Sequence, residues 1–291
     1  MSREDSGERV LGRTGQSIGK VAVVTGAGSG LGRALAIGLA RRGCRLALAD
    51  LDPHGLAITR IRAEAVGATV SDAVLDVADR DAVRGFAADV AATYGVVHQL
   101  YNNAGIAGGR RLLEASDEEL DLVLAVNLGG VVNGTKAFLP HLIASGDGHL
   151  VNISSLNGLL AQPGLSAYCT SKFAVRGFTE TVRAEMLADH HPVAVTVVHP
   201  GGVRTNIANA SLDLARSRGQ TITARDEERV AYYNSRLLTM DPVDAAEIIL
   251  RGVAARRPRI VVGAGARRLD RLTRLLPTAG PALTAWFDRR Y

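Results

Sequence analysis

Tyr168 and Lys172 stand four residues apart in Tyr168-Cys169-Thr170-Ser171-Lys172, and Ser155 lies thirteen positions upstream. The three side chains together suit proton transfer at an oxygen-bearing carbon. A phenol donates or takes the proton, an ammonium one helical turn away tunes it, and a hydroxyl polarises a carbonyl. A free tyrosine titrates near ~10 and needs help at neutral pH. A neighbouring cation favours the phenolate. Lys172 is one of only three lysines in a chain that otherwise uses arginine, which cannot readily lose its proton. Alone, a Tyr and a Lys at this spacing are equally well explained as solvated neighbours on a helix. The elements that position them must supply the context.

Seven short apolar runs, at 20–25, 45–49, 69–75, 97–101, 149–153, 193–198 and 259–262, read as strands. The segments between them are long enough for crossover helices. Strands this apolar are buried on both faces, as in a parallel sheet covered by helices. The expectation is one doubly wound α/β domain of about seven parallel strands, with helices on both faces. It spans 19–265, after a polar N-terminal extension at 1–18. Within it, 206–240 is polar and irregular and reads as a lid. A basic amphipathic helical extension follows at 266–291.

The first strand runs into Thr25-Gly26-Ala27-Gly28-Ser29-Gly30-Leu31-Gly32, and a helical pattern begins at Arg33. Glycine lets a backbone turn sharply and approach a pyrophosphate, and a helix N-terminus offers free N–H groups. The glycine spacing differs from G-x-G-x-x-G, but its place at the first β-α junction points to nucleotide binding. Asp50 ends the second strand, where a carboxylate accepts hydrogen bonds from ribose hydroxyls and repels a 2′-phosphate. NAD(H) is therefore preferred; Arg33, Arg41 and Arg42 leave NADP(H) open. Asp52 either shares that role or is a turn residue before Pro53. Asp76 either faces a base or caps a helix.

With these pieces in place the chain resembles the short-chain dehydrogenase/reductase family. The motifs run in the family's order: Thr25–Gly32, Asp76-Val77, Asn102-Asn103-Ala104-Gly105, Asn127, Ser154-Ser155, Tyr168 with Lys172, and Pro200-Gly201 with Thr205. The resemblance covers about 18–205 and implies a Rossmann-type fold. It implies Tyr168 as general acid/base, Lys172 as its tuning cation, Ser155 as carbonyl polariser, and Asn127 as holder of a relay water. It further implies cofactor contacts from Gly26, Ser29, Gly30, Leu31, Gly32, Asp50, Asp76, Val77, Asn103, Ala104, Gly105, Tyr168, Lys172, Pro200, Gly201, Val203 and Thr205. The reaction it implies interconverts a secondary alcohol and a ketone. The alternatives are an NADPH-linked 3-oxoacyl reductase, against which Asp50 argues, and a non-catalytic dinucleotide-binding sensor or scaffold.

Other functions fit less well. The seven histidines show no metal-ligand spacing, so no metal is expected, and no nucleic-acid partner is indicated. Cys44 and Cys169 are too few for a disulfide framework, and no run approaches a membrane span. A cytoplasmic setting is the expectation, with a homo-oligomer, dimer or tetramer, as the assembly. Cys169 reads more readily as buried and inert than as reactive. The net charge of +5 is uneven: residues 251–291 hold ten Arg and two Asp, or +8, leaving −3 for residues 1–250. In the tail, Leu269, Leu272 and Leu276 share a helical face. Packing or oligomer contact ranks first for that face, ahead of peripheral membrane contact. Leu156, Leu159, Leu160, Tyr232 and Tyr233 read either as walls of a nonpolar substrate pocket, for a steroid-, lipid- or terpenoid-like molecule, or as plain core.

Overall fold

The computed structural model describes residues 17–217, 219 and 222–289. Of the N-terminal extension, residues 1–16 lie outside the described residues. Seven parallel strands form one sheet in the order β3-β2-β1-β4-β5-β6-β7. They are β1 Val21–Thr25, β2 Arg45–Asp50, β3 Val70–Val74, β4 Gln99–Asn102, β5 Gly148–Ile153, β6 Val193–Pro200 and β7 Arg259–Val262. All seven expected strands are present, with ends shifted by two residues or fewer.

The helices are α1 Gly30–Ala40, α2 Pro53–Glu64, α3 Arg80–Tyr94, α4 Asp117–Leu124, α5 Gly130–Ala144, α6 Ser166–Ala188, α7 Ile207–Ser217, α8 Ala224–Tyr232, α9 Pro242–Ala254, α10 Ala264–Leu275 and α11 Gly280–Asp288. Alternate strand residues feed two cores. On one face Ala22, Val24, Leu46 and Leu48 pack with Leu35 and Leu39 of α1 and Ile249 of α9. On the other, Val21, Val23, Ala47 and Ala49 pack with Phe86 and Val90 of α3, Phe138 of α5 and Val182 of α6. Each fully buried Val or Leu contributes about 1.5–3 kcal/mol, which is why strands apolar at every position sit in the middle of three layers. The edge strand β3 is instead half-exposed and admits polar residues, with Asp72 3.5 Å from Arg60.

The strand order reverses beside β1. Chain running one way fills β1-β2-β3, and chain returning to β4 crosses to the other side. Such a switch point leaves a crevice at the carboxyl ends of β1 and β4, where ligands of α/β sheets bind. The glycine run after β1 and Asn103–Gly105 after β4 both end there. Two helical features differ from expectation. The lid segment is largely helical, formed by α7, α8 and a π-helical turn at Tyr233–Leu237. Thr223 and Asp226 form a reciprocal capping box that starts α8. The stretch 117–144 is one helix long and apolar enough to cross a membrane by composition. Here it is a core helix, interrupted by a π-helical turn at Ala125–Gly129 that carries buried Asn127.

Candidate active site

The cradle is built by close approach. At Gly26, φ is +64°, and a Cβ would stand 2.7 Å from Ala104 Cα; at Gly32 a Cβ would stand 1.9 Å from Gly26 O. Only glycine leaves backbone N–H groups accessible at the start of α1. Asn103 Nδ2 ties the turn down by donating to Thr25 O and Gly26 O, at 3.0 and 3.1 Å. Thr25 Oγ1 accepts from the N–H of Asn103 and of Ala104. Ser29 occupies the N-cap of α1 in an extended conformation and its hydroxyl makes no capping bond; Leu31 is buried. Thr205 closes the far side, its Cγ2 3.1 Å from where a Cβ on Gly30 would stand.

The Asp50 carboxylate is fixed by the N–H of Gly28 at 2.7 Å and of Asp52 at 2.9 Å. An ionised carboxylate has about four acceptor sites, so two remain for hydroxyls. Asp52 is itself the N-cap of α2, accepting from His54 N. Asp76 is exposed and accepts from Ala78 N, while the cap of α3 is Asp79. Val77 is buried, in contact range of Gly130. Of the arginines that left NADP open, Arg33 lies at the cradle with its guanidinium bonded within the protein, and Arg41 and Arg42 lie away from it. Arg33 donates to Gly28 O, Gly55 O and Thr59 Oγ1. Arg41 and Arg42 follow the C-terminal end of α1, about 15 Å from the cradle at the usual rise, and Arg42 pairs with Glu247 at 2.7 Å.

The structure brings Ser155, Tyr168, Lys172 and Asn127 into one cluster. Ser155 starts the 3-10 turn Leu156–Gly158; its hydroxyl accepts from Asn157 N at 3.1 Å and hydrogen-bonds Tyr168. Tyr168 and Lys172 lie on α6, with Nζ 5.6 Å from the ring centroid. Lys172 is buried, and its ammonium donates to Ile153 O at 3.1 Å. Burial lowers its pKa to about 8. Burial also raises the Tyr168 pKa, with the Ser155 hydrogen bond opposing. In this chain alone, desolvation of the phenolate therefore outweighs any lowering from its cation.

Asn127 clamps the loop after β4. Its amide donates to Ile106 O at 2.9 Å and Ser171 Oγ at 3.1 Å, and its oxygen accepts from Ile106 N at 2.8 Å. Gly105 fills the gap between Asn127 and Lys172: a Cβ there would lie 3.0 Å from Asn127 Oδ1 and 3.4 Å from Lys172 Nζ. Pro200 ends β6, and the loop that follows is pinned by the Val203–Met240 bridge and by Met240 N donating to Gly202 O at 2.9 Å. Gly201 leaves room for Ala266 of α10.

Sequence reasoning missed the groups that hold this cluster. His199, at the end of β6, donates from Nδ1 to Ser155 O at 2.9 Å. Burial lowers its pKa to about 4, so it is neutral. Gln162 Oε1 accepts from both Asn157 Nδ2 at 3.0 Å and Tyr233 Oη at 3.2 Å, tying the lid to the loop carrying Ser155. Arg229 of the lid donates to Gly109 O. Apart from Asn157–Gln162, these contacts span long sequence separations with no local pattern to reveal them. Leu159 and Leu160, expected in the substrate pocket, line a cavity of about 350 Å³ with Phe173, Arg176, Arg259 and residues of the C-terminal helices; Ser155, Tyr168 and Lys172 do not line it. Cys169 is buried and burial raises its pKa.

The donor set fits a nicotinamide dinucleotide: a side-chain-free cradle, a carboxylate ending β2, and a buried ammonium with two N–H groups beyond its bond to Ile153. Comparison with known proteins agrees. The model of the short chain dehydrogenase family matches residues 20–214. A putative oxidoreductase, SadH, of Mycobacterium tuberculosis is 49% identical over 269 residues, covering 92% of this chain and 94% of that one. Estradiol 17-beta-dehydrogenase 11 of Pongo abelii is 31% identical over 89% of this chain and 80% of its own. A short-chain dehydrogenase/reductase from Burkholderia phymatum, solved with NAD, is 33% identical with a TM-score of 0.82, over 88% of this chain and 93% of that one. The chain belongs to the short-chain dehydrogenase/reductase family, oxidoreductases that act on alcohol and carbonyl pairs with NAD or NADP.

Proposed function

We propose that the chain interconverts a secondary alcohol and a ketone on a nonpolar substrate, prefers NAD(H), and moves the proton through Tyr168. The observation that carries this reading is the Ser155–Tyr168–Lys172 cluster set beside the glycine cradle at the sheet's switch point. A bound nicotinamide dinucleotide supplies hydride exchange at the substrate carbon. The chain's residues do the rest. Ser155 accepts from Asn157 N, which leaves its own proton for Tyr168 or a substrate oxygen. Tyr168 gives its proton to a developing alkoxide, or takes one from an alcohol. Lys172 stabilises the phenolate left behind, and Asn127 and Gly105 keep the space beside its ammonium.

NAD preference is supported by Asp50, whose fixed carboxylate would face a 2′-phosphate with like charge. The same group argues against an NADPH-linked 3-oxoacyl reductase. A nonpolar substrate is supported by a relative that is named an estradiol dehydrogenase. A panel of short aliphatic, terpenoid and steroid secondary alcohols, each with NAD and with NADP, tests the reading. The reduced-nicotinamide absorbance band should grow with NAD and fastest with the nonpolar alcohols. A wild-type chain that works better with NADP would refute the cofactor assignment.

A further inference from the structure

We propose that the C-terminal extension is a docking face for an anionic lipid surface. Its inner side is packed: Ala266 sits against Gly201 and is buried, and Leu269, Asp270 and Thr273 are half-buried. Its outer side is not what a purely packed extension would show. Leu275 is 79% exposed, Leu276 53% and Phe287 50%, with the rings of Trp286 and Phe287 edge-to-face at 5.0 Å. Arg267, Arg268 and Arg271 are exposed along α10. The two carboxylates of the extension are drawn toward the body. Asp270 binds Arg259 at 2.5 Å, and Asp288 binds Arg111 at 2.6 Å. Among the described residues, Arg268 and Arg271 have no ion-pair partner. An arginine-rich helix of low overall hydrophobicity, α10, followed by the apolar α11 with its two aromatic rings, has the composition of a segment that lies in a membrane interface.

A second copy of the chain is the other occupant such a face could take, and charge separates the two. A two-fold contact sets a face against itself. The one carboxylate of α10, Asp270, is committed to Arg259 and Arg274. Helix α10 of a second copy would then offer Arg268 and Arg271 added positive charge and no free counter-charge, and like charges across an interface cost affinity. An anionic leaflet meets them with opposite charge. The face also adjoins the site. A Cβ on Gly280 would lie 3.0 Å from Leu160 Cδ1, in the segment that follows Ser155, and Arg111 belongs to the loop after β4. Resting on the nonpolar substrate proposed above, docking would hold the site at the phase in which that substrate dissolves.

Sedimentation of the full chain with vesicles decides the matter. Phosphatidylcholine vesicles containing phosphatidylglycerol at about one lipid in three should carry the protein down, and pure phosphatidylcholine vesicles should not. Raised salt should release it. Each arginine near the surface is worth about a fivefold factor in binding. Arg268→Glu with Arg271→Glu should therefore cut binding at least about twentyfold, with the melting temperature unchanged. Leu275→Ser with Phe287→Ser should weaken binding even at low salt. An intact chain that stays in the supernatant with anionic vesicles overturns the proposal. So does light scattering in which the arginine variants change the oligomer's mass while vesicle binding is untouched; the face would then belong to a second copy. Sedimentation does not depend on turnover, so a chain that binds vesicles but oxidises no alcohol sinks the functional reading alone.

Discussion

Burial holds the proton on Tyr168 and loosens that on Lys172. The Tyr168 pKa is raised, while that of Lys172 falls to about 8, close to neutrality. Tyr168 therefore rests protonated, ready to give its proton to a developing alkoxide, with the Lys172 ammonium beside its ring. Gly105 guards the space beside that ammonium. Gly105→Ala puts a methyl 3.0 Å from Asn127 Oδ1 and 3.4 Å from Lys172 Nζ. Such crowding should lower kcat about tenfold to a hundredfold, with the melting temperature nearly unchanged; undiminished kcat would remove Gly105 from the proton path. Two buried histidines give a pH dependence of stability. Thr196 donates to Arg257 O, so His149 must donate from Nε2 to Thr196 Oγ1 and is neutral. Burial lowers His149 to about 3 and His199 to about 4. Their folded values lie below the unfolded value near ~6.5, so the stability they contribute is present above that pH. It is lost as pH falls toward 4 and then 3. Each should cost about 1.4 kcal/mol per pH unit within its window. Denaturant titrations at stepped pH check this; stability that stays flat below about 6 would contradict it.

At the scale of elements, the strands and the cradle were legible and the lid was not. Strands such as Val21–Thr25 are apolar at all but the last position because both faces are covered, a pattern visible without knowing the partners. Segment 206–240 is polar because its helices lie on the surface, so polarity there read as irregularity although Thr223 and Asp226 carry a capping box. Its attachment to the site was also invisible. The Tyr233–Gln162–Asn157 bridge joins residues 71 apart in sequence. Tyr233→Phe removes one hydrogen bond, about 0.5–1.5 kcal/mol of lid closure. The expected result is KM raised about fivefold with kcat held. Unchanged KM would show that the bridge does not set closure.

Over the whole molecule, chain reversal beside β1 explains why residues as far apart as Gly26, Ala104 and Thr205 meet. The family's motifs made that convergence readable in the sequence. The wider geometry was not readable: α1 carries Arg41 and Arg42 away from the cradle, and the C-terminal helices share a cavity with Leu159 and Leu160. Cofactor choice is a property of that whole arrangement. Asp50→Ala should narrow discrimination between NAD and NADP at least about tenfold, read as the ratio of kcat/KM values. An unchanged ratio would place the discrimination elsewhere. The central claim is that a dinucleotide bound in the cradle and the proton held by Tyr168 act on one substrate. Tyr168→Phe tests it most directly. Alcohol oxidation should fall about a hundredfold to ten-thousandfold, while titration of the variant with NADH still gives the wild-type dissociation constant. A variant that binds NADH normally and oxidises alcohol at the wild-type rate would contradict the account.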